Sequence, residues 1–206
     1  WAKGDGKIYF RGEDGFYSRI FVYDPKTEKY DRLPIEVDYV STFSMSKEKP
    51  SQIAYIGEGY DHAGVAYLYD VKKRSNKLLA DPFKKTLDKI NLAKDESWTF
   101  TASDGTVIDG VICYPPDFDP AKKYPLIVYY YGGTNPSERS IRHPYTPQMF
   151  ASRDYVVYVI NPSGTTGYGQ EFSARHVNAW GKRTADEIIE KVNKRVPIKM
   201  VTKLFE

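Results

Sequence analysis

Apolar and polar positions alternate in short runs through the first ninety residues, and the pattern occurs twice. Lys7-Ile8-Tyr9-Phe10 is followed by Gly12 and Gly15, then Arg19-Ile20-Phe21-Val22-Tyr23-Asp24, a Lys-rich turn and Leu33. Gln52-Ile53-Ala54-Tyr55 is followed by Gly57 and Gly59, then Ala66-Tyr67-Leu68-Tyr69-Asp70, a Lys-rich turn and Leu79. The offset is 45 residues at the first strand and 46 at the Tyr-Asp pairs and the leucines, as a one-residue insertion in the hairpin produces. Period-two alternation broken by Gly, Asp, Asn and Pro predicts meandering antiparallel strands. Each Tyr-Asp pair should end a strand, with Asp24 and Asp70 opening turns by accepting from nearby backbone amides. A period in the forties with about four strands per unit is that of propeller blades. Closing a ring takes at least about four blades, and open blades leave bare strand edges. Further blades are therefore expected upstream of Trp1. A small β-sandwich with an accidental period is the competing architecture.

The rhythm changes near Ala93. Trp98-Thr99-Phe100-Thr101 and Gly110-Val111-Ile112-Cys113-Tyr114 read as two strands joined through Ser103-Asp104-Gly105, and Asp-Gly favours a hairpin. Leu126-Ile127-Val128-Tyr129-Tyr130-Tyr131 is a continuous apolar run, as in a strand covered on both faces. It ends at Gly132-Gly133, and a long polar loop follows to Tyr145. Gln148 to Ser152 suggests a short helix after Pro147. Tyr155 to Ile160 is a second buried strand, which runs through Asn161-Pro162 into a Gly-rich loop from Gly164 to Gly169. Phe172 to Trp180 reads as helical. Thr184 and Glu187 have capping-box spacing. Ile188, Val192 and Val196 then fall on one helix face, and Pro197 ends or kinks that helix. The order describes an α/β layer built on a β-hairpin.

Composition adds exclusions. The net charge of +3 is small for 206 residues, and basic and acidic residues are interleaved, which argues against nucleic-acid or membrane-surface partners. Lys72-Lys73-Arg74 and Lys122-Lys123 read as solvated turns. No apolar run approaches the roughly 18 residues of a membrane-spanning helix. The single cysteine, Cys113, has no intrachain partner and lies in an apolar strand, so it reads as a packed core thiol. His62 reads as an exposed loop residue. No paired-Cys metal spacing, P-loop or dinucleotide fingerprint is present, so neither a metal nor a cofactor is expected.

Ser103-Asp104-Gly105-Thr106, Ile108 and Gly110, then Lys123-Tyr124-Pro125-Leu126-Ile127 running into Tyr131-Gly132-Gly133, resemble the entry into the catalytic domain of prolyl oligopeptidase-type serine peptidases. Phe150 to Val157 resembles that family's next helix and strand. Asn161, Gly164, Gly167-Tyr168-Gly169, Phe172, Trp180-Gly181 and Asp186 resemble the loop and helix after them. The likeness is strongest to the dipeptidyl aminopeptidase and acylaminoacyl-peptidase branches. It departs at Ser163, where family members often carry Arg, and in the tail from Lys191 to Glu206.

The resemblance implies β followed by α/β: residues 1–92 as the last, roughly two, blades of a β-propeller, and residues 93–206 as the front half of an α/β-hydrolase domain. In such a domain the nucleophile sits in G-x-S-x-G, followed in chain order by Asp and His. No G-x-S-x-G occurs here. Asn161-Pro162-Ser163-Gly164-Thr165 lacks both outer glycines, so Ser163 reads as a loop residue. His143 and His176 precede the family's nucleophile position, and neither is its histidine. The resemblance thus places the whole triad beyond Glu206, and the chain by itself is expected to be inactive.

One catalytic part falls within the chain. The family's Tyr at the end of the first buried strand donates its hydroxyl to the oxyanion formed on the scissile carbonyl, and Tyr131 occupies that position. A phenol is a neutral donor. The bland reading of Tyr131 is one of three consecutive aromatics packing a strand. The substrate implied is a short peptide. Homo-oligomerisation and compartment stay open. The alternative function is a non-catalytic binding or scaffold protein on the same fold.

Overall fold

The structure, a computed structural model, describes residues 5–49, 51–179 and 181–195. The chain forms two compact units, one comprising the chain to Ile90 together with Glu138–His143, the other Asn91–Ser137 and the chain from Pro144.

The first unit is one seven-stranded sheet. Strands β1 (Ile8–Asp14), β2 (Tyr17–Asp24) and β3 (Lys29–Arg32) form an antiparallel meander. Strands β4 (Tyr39–Met45), β5 (Gln52–Glu58), β6 (Val65–Asp70) and β7 (Ser75–Ala80) form a second. The two meanders are joined in one hydrogen-bonded sheet and share one core. The meanders meet at one parallel bridge, Ser18 to Tyr39, where the Ser18 hydroxyl also donates to the Val40 carbonyl at 3.0 Å. Alternation sends Ile20, Val40, Ile53, Tyr55 and Tyr69 into one core with Leu33, Ile35 and Val37. Burying one such aliphatic side chain contributes about 1.5–3 kcal/mol. Both strand-ending aspartates act as expected: Asp24 Oδ1 accepts the Lys26 N–H at 3.0 Å, and Asp70 Oδ1 accepts those of Lys72 and Lys73 at 3.0 and 3.1 Å. A helical turn, α1 (Lys84–Leu87), follows β7.

The second unit is a five-stranded mixed sheet. Strands β8 (Lys94–Ser97) and β9 (Phe100–Thr101) both pair antiparallel with β10 (Val107–Tyr114), so the strand expected over Trp98–Thr101 is interrupted at Trp98 and Thr99. The Ser103-Asp104-Gly105 turn closes the β9–β10 hairpin. Strand β11 (Leu126–Tyr129) pairs parallel with β12 (Val156–Asn161), which pairs antiparallel with β10. Every residue of β12 is buried. Strand β11 is the terminal strand of this sheet and is only partly covered, so the expected burial on both faces is not seen.

Helix α2 (Pro147–Ala151) lies between the two parallel strands, with Pro at its first turn as its fixed φ favours. Helix α3 (Gln170–Ala174) is shorter than expected, and Trp180 lies outside the described residues. Helix α4 (Lys182–Arg195) starts before Thr184, so Thr184 and Glu187 form no capping box. The Gly181 carbonyl accepts the first helical bond, from Ala185, and Glu187 instead binds the backbone of Ser163. Val196 and Pro197 lie outside the described residues. The buried face of α4 carries Thr184, Glu187 and Lys191 beside Val192. The Lys191 ammonium sits 4.0 Å from the Trp98 ring centre and 4.6 Å from that of Phe100. Aromatic faces attract such a cation, which is how a lysine sits on a face that periodicity marks as apolar.

Candidate functional site

The parallel ladder between β11 and β12 runs from Leu126–Val156 to Tyr129–Val159 and stops there. Tyr130 and Tyr131 therefore leave the sheet, and strand alternation no longer assigns them faces. Tyr131 is 59 % exposed, so it does not pack a strand. Gly132 follows with φ +75°, a conformation that side-chain-bearing residues seldom adopt. Gly133 is needed for space: a Cβ there would lie 2.5 Å from Tyr131 Cε1. The Tyr131 ring thus folds back against the bare backbone of Gly133, and its outer edge faces solvent.

The Gly-rich loop after β12 is rigidly packed. A Cβ on Gly164 (φ +99°) would lie 2.5 Å from the His176 ring, so glycine is required there by both conformation and space. Ser163 is buried, and its N–H donates to Glu187 Oε2 at 2.8 Å. The hydroxyl of Thr165 returns to the Pro162 carbonyl at 2.7 Å. Ser163 is thus a structural loop residue, as expected. His176 lies in the turn beyond α3 and not in a helix. Asn161, at the end of β12, is 1 % exposed. It is a polar side chain closing an otherwise wholly apolar run.

Within the first unit, Glu138–His143 lies against the second meander as a strap. Glu138 Oε1 accepts from the Tyr39 hydroxyl at 3.0 Å. Arg139 Nε donates to Asp38 Oδ2 at 2.7 Å, with the guanidinium 4.7 Å from the Tyr60 ring centre. Ser140 donates to Glu58 Oε2 at 2.5 Å, the Ile141 N–H donates to the Gly59 carbonyl at 2.8 Å, and Arg142 donates to Glu58 Oε1. Burial alone would raise the Glu58 carboxyl, but the hydrogen bonds from Arg142 and Ser140 outweigh it and hold the group below the usual carboxylate range. The sequence marks this segment only as part of a long polar loop. A loop arginine carries no sequence signal that separates a buried ion pair from a solvated one.

His62 is half-buried rather than exposed. Its Nδ1 lies 2.6 Å from Asp61 Oδ1, and that hydrogen bond outweighs burial and raises its pKa above the ordinary histidine value. Cys113 is buried and forms no disulfide, as expected. Among the described residues no group of His, Cys, Asp and Glu is arranged to hold a metal ion, and no helix is long and apolar enough to cross a membrane.

The family model described as the prolyl oligopeptidase family matches residues 141–201, so the likeness reaches past Lys191 into the tail. A probable dipeptidyl-peptidase 5 of Aspergillus terreus is 39 % identical over 98 residues, 45 % of this chain and 13 % of the relative. An uncharacterized peptidase of Bacillus subtilis, YuxL, is 25 % identical over 198 residues, 95 % of this chain and 29 % of the relative. Among solved structures, the acylaminoacyl peptidase of Pyrococcus horikoshii superposes with a TM-score of 0.79 at 20 % identity, over 95 % of this chain and 30 % of that one. Dipeptidyl peptidase 4 of Porphyromonas gingivalis gives 0.78 at 18 %, over 98 % and 29 %. The chain spans less than a third of the length of each of these proteins. The family-model match over residues 141–201 and the alignment to a peptidase along nearly the whole chain both support a likeness to the prolyl oligopeptidase family.

Proposed function

We propose that this chain is part of a serine peptidase that hydrolyses short peptides by acyl transfer, releasing dipeptides or acylated amino acids. Residues 1–92 are then the last blades of a β-propeller and residues 93–206 the front half of an α/β-hydrolase domain. The two meanders of the first sheet, with strands repeating at the 45-residue offset, support the blade reading. The parallel β11–β12 pair with α2 between the strands supports the hydrolase reading.

The observation that carries the proposal is the placement of Tyr131. It stands just past the end of β11, free of the ladder, its ring seated on Gly133 and its edge exposed. A donor there can meet the oxygen of a scissile carbonyl as it becomes an oxyanion, where such donors contribute about 2.7–4 kcal/mol to the transition state. No G-x-S-x-G occurs in these 206 residues, and the family resemblance implies that nucleophile, acid and base lie outside them.

The chain alone is therefore inactive. Incubation with chromogenic dipeptide and acyl-amino-acid substrates tests this, with no turnover expected. Turnover abolished by a serine-directed phosphonate would place a nucleophile inside the chain and overturn the assignment.

A further inference from the structure

We infer that Asn161, assisted by Thr166, is a positioning residue that fixes the loop carrying the Tyr131 hydroxyl. The inference rests on the oxyanion reading of Tyr131 given above.

The register of the β11–β12 ladder, continued by two residues beyond Tyr129–Val159, would set 131 opposite 161. The backbone pairing has already ended, so the ladder cannot hold Tyr131 in place. The side chain of Asn161 takes over. Its Oδ1 accepts the buried Ser137 N–H at 2.8 Å, and its Nδ2 donates to the Tyr168 hydroxyl at 3.0 Å. The backbone of Asn161 is itself fixed, through antiparallel pairing with Asp109 of β10. Closer to Tyr131, the Thr134 carbonyl accepts twice from Thr166, from its N–H at 2.7 Å and its hydroxyl at 3.0 Å. The stretch from Tyr131 to Ser137 is thus tied to the rigid end of β12 and to its following loop at two points.

The chemistry needs this. An oxyanion donor acts only when aimed at the place where charge develops, and a misplacement of about 1 Å can cost about a hundredfold in rate. An exposed tyrosine beside two glycines has little of its own to hold it. Sites are held to the necessary precision by partners on rigid elements, and Asn161 is such a partner, with its acceptor and its donor both engaged. Asn161 touches no reacting atom. Its effect reaches the reaction only through the loop.

The test is a double-mutant cycle between Tyr131→Phe and Asn161→Ala in the intact protein, with kcat and KM read separately. Asn161→Ala is expected to lower kcat about 10–100-fold with KM little changed. Asn161→Asp, which keeps an acceptor for Ser137, should recover most of the loss. The double variant should be no slower than Tyr131→Phe by more than about twofold, because a loop without its donor has nothing left to aim. Thr166→Val, which removes one of two bonds to Thr134, should cost a smaller factor and keeps the idea testable if Asn161→Ala fails to fold. If Tyr131→Phe leaves kcat unchanged, the oxyanion reading itself is wrong. If Tyr131→Phe is slow but Asn161→Ala and Thr166→Val are not, or if the losses multiply, Asn161 is not a positioning residue.

Discussion

Arg139 Nε lies 2.7 Å from Asp38 Oδ2, although the two residues are 101 positions apart in the chain. Arg139 is 8 % exposed and its guanidinium also faces the Tyr60 ring, so it is held by charge and by stacking together. A charged hydrogen bond contributes about 1.5–3 kcal/mol and a shielded cation–π contact about 0.5–2. Arg139→Ala should therefore destabilise the chain by about 2–4 kcal/mol, read by urea unfolding. Arg139→Lys should recover less than half, because an ammonium cannot present the planar fork that stacks and donates together. A loss below about 0.5 kcal/mol would class the pair with ordinary surface ion pairs.

Glu58 gives the strap a pH dependence. Its carboxyl is depressed by Arg142 and Ser140 against the opposing effect of burial. A group depressed on folding contributes stability that is present above its unfolded pKa, about 4.3 for glutamate, and is lost as pH falls through the lower folded value. Acid titration should show stability declining below about pH 4, and Glu58→Gln should flatten that decline while lowering stability at pH 7 by about 1.5–3 kcal/mol. An identical acid slope in the variant would show that Glu58 does not carry the effect.

What the sequence reveals depends on how local the cause is. Asp24 and Asp70 were legible because an Asx turn is settled within three residues, and β12 because the apolar run from Tyr155 to Ile160 marks a buried strand. The ends of β11 and the start of α4 were not, because each depends on a distant partner. Tyr131 leaves its strand where the pairing with β12 ends, and Glu187 is drawn from a cap to the Ser163 backbone. The buried Lys191 was invisible for the same reason, since Trp98, 93 positions away in the chain, and Phe100 surround its ammonium. Tyr131 was singled out by the family resemblance, whereas the hydrogen bonds of Asn161 to Ser137 and of Thr166 to Thr134 emerge only from contacts.

Space around Tyr158 yields a packing prediction. A Cβ added to Gly110 would lie 2.5 Å from the Tyr158 hydroxyl, and Tyr158 is fully buried with its ring edge-on to Trp98. Gly110→Ala should cost about 1–3 kcal/mol as overpacking, and Tyr158→Leu in the same chain should relieve part of it. Equal stability of Gly110→Ala and the parent chain in thermal unfolding would contradict this packing.

The two turn aspartates should both matter, and Asp70 more. Asp24→Ala removes the acceptor of one turn amide and should cost about 0.5–1.5 kcal/mol, the ordinary worth of such a bond. Asp70→Ala removes the acceptor of two and should cost more. Because the sites belong to separate meanders, the double variant should show the sum. No loss at either position would contradict the Asx-turn assignment.

The oxyanion role proposed for Tyr131 is tested by steady-state hydrolysis with the intact protein carrying Tyr131→Phe. The substitution keeps the ring on Gly133 and removes only the donor. A fall in kcat of about 10²–10³-fold with KM nearly unchanged is the predicted result. A kcat within about twofold of the parent would contradict the account.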